Sequence, residues 1–174
     1  GKPVIVRFEN HLDENPGNFD RQDFGAPDHS FLTHLHNGHT ESDSDGNPMD
    51  MLPSACWKDH FYLNKRAGFT DPKFGENGDI RETMSTLWYH DHCLDYTSQN
   101  VYRGNMGLYY MFNEFDTGNE NDPNPAAWRL PSGDFDVPLV FHDRVFDPSG
   151  HGYFDLFNLD GIIGDKYTVN GKIQ

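Results

Sequence analysis

The chain has 174 residues, with 13 Lys and Arg against 28 Asp and Glu, a formal net charge of −15 before any of its ten histidines is protonated. So negative a balance repels phosphate backbones and anionic lipid, which sets nucleic acid and membrane surfaces aside as partners. The length suits one domain's worth of chain, and an aromatic content of 14% argues against disorder.

Helix signals are scarce, because 17 Gly and 11 Pro interrupt nearly every window in which apolar residues could recur at helical spacing. Strand signals come in order: Pro3 to Glu9, Phe31 to His36, Ser85 to His90, Gly107 to Asn113 and Val137 to Phe146. Each is short, rich in aromatic or β-branched residues, and bounded by Gly, Pro, Asn or Asp. Several such strands with polar connections predict an antiparallel sandwich or barrel. The polar stretch Asn37 to Thr83, which carries Asp43-Ser44-Asp45-Gly46-Asn47-Pro48, reads as a long loop that is functional or ordered by its own turns. A second polar span, Asp116 to Gly133, reads as a surface excursion. No apolar run approaches the roughly 20 residues of a spanning helix. The opening Pro3-Val4-Ile5-Val6-Arg7-Phe8 lacks a leader signature, so a signal peptide is expected to be absent or removed, and the compartment stays open. Cys56 and Cys93 make no disulfide framework. They either pair in an oxidising compartment or remain two buried thiols, the simpler expectation.

One short pattern occurs twice: His34-Leu35-His36 and His90-Asp91-His92. In a strand, side chains two apart project from one face about 6.5–7 Å apart, so each pair can lean toward one metal ion or two adjacent ones. A single His-x-His among ten histidines is an ordinary surface feature. The second pair differs, because it follows the apolar run Leu87-Trp88-Tyr89 and so sits at the end of a strand that should be buried. Four imidazoles near one core call for a metal to satisfy them, and neutral imidazole suits zinc, copper, iron and nickel.

The segments Thr33 to Gly38, Ser42 to Gly46, Leu87 to His92 and Asn100 to Gly107 together resemble the first cupredoxin domain of multicopper oxidases. The nearest patterns are the spore-coat-type laccases, bilirubin oxidases and phenoxazinone synthases. Arg129-Leu130-Pro131-Ser132 and Asp136 to Arg144 resemble the link out of that domain, and Tyr167 to Lys172 resembles the opening of the second. The resemblance implies an all-β, cupredoxin-like Greek-key fold, incomplete at its start, with residues 1–146 as most of the first domain and 147–174 as linker and start of the second. It makes His34 a ligand of type 2 copper and His36, His90 and His92 ligands of the type 3 pair. Asp45 falls where the family carries an acid beside the cluster, thought to steer protons; as a plain Asp-Gly turn residue it is equally at home. Trp88 and Tyr89 are expected to pack around the ligand strand, and Asp91 to point to its opposite face.

Neither cysteine fits the type 1 copper motif of this family. The chain thus reads as an internal fragment, or as a partner of a second chain carrying type 1 copper and the other four cluster histidines. The implied chemistry is one-electron oxidation of an organic donor coupled to reduction of O2 to water, with a secreted, periplasmic or spore-coat setting. Two rivals stand beside it. His34 and His36 followed by Glu41 partly mimic a cupin's single-metal motif, whose second half is missing here. A non-catalytic copper-binding module would use the same four histidines. His11, His29, His60, His142 and His151 are expected to be structural, and His39, three residues after a candidate ligand, is open.

Overall fold

The computed structural model describes residues 1–12, 29–155, 158 and 160–173. Two sheets face each other. In the first, β1 (Val4–Glu9) pairs antiparallel with β3 (Trp57–Tyr62); in the second, the order is β2 (Thr33–His36), β4 (Thr86–Asp91), β5 (Met106–Tyr110), antiparallel throughout. Strand alternation fixes which side chains meet between them. Val6 and Phe8 of β1 and Tyr62 of β3 turn inward onto Leu35, Leu87, Tyr89 and Tyr109, with Met84 and Met111 closing the cluster. Rings interlock across the gap: Phe8 lies 5.8 Å from Tyr89, and Tyr62 lies 5.9 Å from Tyr109 at an interplanar angle of 74°. The outward face of the β1–β3 pair sets an ion pair among exposed Ile5, Trp57 and Phe61. Arg7 grips Asp59 with two bonds of 2.7 and 2.8 Å and lies 3.8 Å over the Trp57 ring.

A third, small sheet joins β6 (Phe141–Arg144), β7 (Lys166–Val169) and β8 (Lys172–Ile173). The single α-helix among the described residues, α1 (Thr97–Arg103), packs on β4 and ends at Gly104, whose φ of 110° only glycine adopts readily. No helix of the described residues is long and apolar enough to cross a membrane.

All five predicted strands exist in part. The fourth begins at Met106 and stops at Tyr110, and the last is limited to Phe141–Arg144. Pro138 has no N–H to give a ladder, and the adjoining backbone bonds instead to Asn170. Four elements were missed, among them the β7 and β8 strands of the small sheet. β3 lies inside the stretch read as a loop, because Trp57 and Phe61 face out while Lys58 and His60 face in, which blurs the alternation of apolar and polar. α1 has no apolar stripe, since the residues it buries are Gln99, Asn100 and Tyr102. The cysteines also need correcting: neither is bonded, Cys93 is buried, and Cys56 is exposed.

Candidate metal centre

The outer face of the β2–β4–β5 sheet carries the histidines. In the β2–β4 register His34 stands opposite His90 and His36 opposite Trp88, so both His-x-His pairs present the same face that their alternation requires. His92 lies one residue past β4, where its N–H still bonds to Leu32 O at 2.8 Å and prolongs the strand. The four rings converge. Centroids are 5.5 Å apart for His34 and His90, 5.4 Å for His36 and His90, 4.8 Å for His34 and His92, and 5.9 Å for His90 and His92. One ring nitrogen each of His34, His36 and His90 lies within 4.8 Å of the others. Trp88 covers this group from the side, stacked 5.2 Å from His36 and 4.2 Å from His90.

The hydrogen bonds decide which nitrogens are free. His90 Nδ1 donates to Asp91 O at 2.6 Å, and His34 Nδ1 donates to Asp45 O at 2.6 Å. Each must therefore carry its proton on Nδ1, which leaves the Nε2 lone pair for a ligand or metal. His90 Nε2 lies 3.2 Å from His36 Nδ1. Burial holds the His90 pKa below the ordinary value, with the three neighbouring imidazoles adding to the effect against the pull of the Asp91 carbonyl. His92 Nδ1 is buried and has no hydrogen-bond partner among the described residues. A buried imidazole nitrogen left without a partner costs free energy that a metal ion would repay. Converging imidazoles, with one orphaned nitrogen among them, fit copper as a borderline, nitrogen-preferring ion.

Loop geometry holds these rings from behind. Gly46 has φ +92°, and a Cβ there would sit 2.6 Å from Thr33 O, so only glycine lets the loop lie on the β2 backbone. Pressed there, the two preceding carbonyls are spent on two imidazoles: Ser44 O accepts from His60 Nδ1 at 2.7 Å, and Asp45 O accepts from His34. The Asp45 carboxylate stands 3.4 Å from the same His34 nitrogen and is half exposed. Asp91, 2% exposed, points to the opposite strand face and accepts from Leu32 N at 2.8 Å, Cys93 N at 3.1 Å and Asn100 Nδ2 at 3.1 Å. It ties the start of β2, the end of β4 and α1 into one unit.

Of the other histidines, His39 Nδ1 donates to Lys65 O at 3.0 Å and its Nε2 lies 3.9 Å from Glu82, His60 is buried, and His142 packs on Tyr102. Sequence reasoning did not reach Ser44, Asn100 or the position of Trp88 over the rings. Only Trp88 left a signal, its place two residues before His90 on the same strand face.

No family model matches the chain. Among curated proteins it is 30% identical over 174 residues to the bilirubin oxidase of Albifimbria verrucaria, covering 99% of this chain and 23% of that protein. It is 31% identical over 159 residues to the laccase of Bacillus subtilis strain 168, covering 84% of this chain and 28% of the relative. Over most of its length the chain is similar to multicopper oxidases. It spans about a quarter of the length of the curated relatives it matches. Its fold is that of a solved multicopper oxidase, a variant of McoA from Aquifex aeolicus, with a TM-score of 0.63 at 21% identity over 98% of this chain and 30% of that one. The all-β, cupredoxin-like architecture expected from the sequence is therefore the architecture found.

Proposed function

We propose that this chain supplies one half of the ligand set of a trinuclear copper cluster, in an oxidase that couples oxidation of an organic donor to reduction of O2 to water. His34 is assigned to type 2 copper and His36, His90 and His92 to the type 3 pair. The observation that carries the reading is the convergence of four imidazoles with one buried nitrogen, His92 Nδ1, left without a hydrogen-bond partner among the described residues. Bound copper supplies one-electron redox chemistry toward oxygen.

What the chain's own residues do follows from their contacts. Asp45 O and Asp91 O hold the His34 and His90 rings in the Nδ1–H tautomer and aim Nε2 at the centre. Trp88 shields one side of the rings from water. The Asp45 carboxylate, close to His34 and open to solvent, is the group we assign to moving protons at the centre. Residues 1–146 form the first cupredoxin-like unit and 147–174 the link and start of the next. The small β6–β7–β8 sheet straddles that boundary. The remaining four histidines and the type 1 copper site come from the rest of a longer oxidase or from a second chain.

The test is copper stoichiometry and electron paramagnetic resonance on the chain, with O2 consumption measured on a phenolic donor for the chain by itself and together with the remaining oxidase domains. Copper should bind through nitrogen, His90→Ala should weaken it at least about tenfold, and oxygen uptake should need the combined domains. Unchanged copper binding after replacing all four histidines would overturn the assignment, and iron or manganese binding in place of copper would favour a cupin-like single-metal site. Copper binding without oxygen uptake in the combined protein would leave a copper-holding module.

A further inference from the structure

In a chain with 28 carboxylates against 13 Lys and Arg, cations find partners easily. Arg7 holds Asp59, Arg66 holds Glu114, and Arg81 holds Asp79, each through more than one bond. Arg144 does not. Among the described residues it forms no ion pair and no hydrogen bond, and its guanidinium lies 4.6 Å over the Tyr102 ring, half-buried. Burial lowers its pKa from the usual arginine value, with the nearby Tyr102 and Asp143 opposing the shift. A half-buried guanidinium that bonds directly to no carboxylate among the described residues has its donors free for an anion.

The surroundings are shaped for a ligand. His142, two residues earlier on β6, projects from the same strand face and meets the same Tyr102 ring edge-on, 5.6 Å between centroids at 88°. Its ring nitrogens also have no hydrogen bond among the described residues. Tyr102 is a wall and not a donor, since its hydroxyl is used by Val145, accepting from the N–H at 2.7 Å and donating to the carbonyl at 3.0 Å. Asp143, between the two basic residues, turns to the other face, where its carboxylate accepts from Gly164 N at 2.7 Å. A Cβ on Gly104 would lie 3.9 Å from Arg144 Nη2, and one on Gly152 would lie 3.8 Å from Nη1. Gly152 has no left-handed φ to justify it, so its missing side chain leaves the guanidinium edge uncovered.

We propose that His142 and Arg144 form a carboxylate-binding clamp on β6, with the guanidinium taking both oxygens of a planar carboxylate and the imidazole adding a third bond. A monoanion suits this site better than a phosphate dianion, because the chain's charge of −15 opposes a second negative charge more strongly. The guanidinium fork matches a carboxylate in plane and spacing, which an ammonium would not. The carboxylate comes either from a free small acid or from an Asp or Glu of the longer oxidase.

The test titrates the metal-free chain with sodium acetate against sodium chloride at matched ionic strength, following the His142 ring resonances by NMR. Acetate should shift them saturably and chloride should not. Arg144→Gln and His142→Asn should each weaken acetate about tenfold or more, Arg144→Lys should fall between, and Arg81→Gln should change nothing. The His142→Asn variant, followed through the Tyr102 resonances, keeps the test sound if Arg144→Gln disturbs folding. Repeated in the longer oxidase, a saturable acetate response assigns the site to a free acid. Its disappearance there, restored by removing one Asp or Glu, assigns it to the protein's own carboxylate. Equal shifts with acetate and chloride, or an acetate response unchanged in Arg144→Gln, would overturn the clamp.

Discussion

Replacing Asp91 by Ala tests the claim that the four-histidine face depends on a buried carboxylate behind it. The side chain is 2% exposed and accepts three hydrogen bonds. Of the three donors, Asn100 Nδ2 has a second acceptor in Ser30 O at 3.3 Å, whereas the Leu32 and Cys93 amides have no other acceptor among the described residues. Two orphaned buried amides at roughly 1–3 kcal/mol each give a loss near 4 kcal/mol. Asp91→Asn keeps one acceptor oxygen and should lose only about 1–2 kcal/mol. Because Leu32 opens into β2 and Cys93 follows His92, the loss should also loosen the spacing of His34, His90 and His92. Urea unfolding of the metal-free chain gives the stability change, and copper titration gives the affinity. A loss below about 0.5 kcal/mol for Asp91→Ala, the range of a neutral surface change, would refute the reasoning.

Gly46→Ala places a Cβ 2.6 Å from the Thr33 carbonyl at φ +92°. It should cost about 2–3 kcal/mol and weaken copper binding by shifting Asp45 O away from His34, as chemical denaturation and copper titration would reveal. Cu(II) should quench the fluorescence of Trp88, which stacks on His36 and His90, and Trp88→Phe should remove most of that quench while Trp57→Phe leaves it. For pH, His60 is 1% exposed and its pKa is lowered chiefly by burial, partly offset by its bond to Ser44 O. The unfolded imidazole, titrating near about 6.5, takes its proton first. Stability of the metal-free chain is therefore full above that pH and falls as pH drops below it toward the lower folded value, with His142 adding in the same direction. Denaturant midpoints at a series of pH values would show the fall, and a flat profile between pH 7 and 5 would contradict it.

The amino-acid order by itself determined the strands that carry the four converging histidines. Alternation is a local property: His-x-His in an extended segment must present both rings on one side, whatever surrounds it. It also determined the short punctuated strands of an all-β fold. Tertiary structure decided the rest. β3 and α1 bury His60, Gln99 and Asn100, polar residues whose place inside follows from partners far away in sequence, such as Ser44 O for His60 and Asp91 for Asn100. Whether Asp45 is a turn residue or an acid beside His34 was open in the sequence. The fold makes it both, because Gly46 presses the turn onto β2 and puts one residue's carbonyl and carboxylate beside the same imidazole nitrogen. Cys56 and Cys93 stay unbonded, and Arg144 finds no ion-pair partner among the described residues, for the same reason: pairing depends on distances between segments, and those are set only when the sheets close on one another.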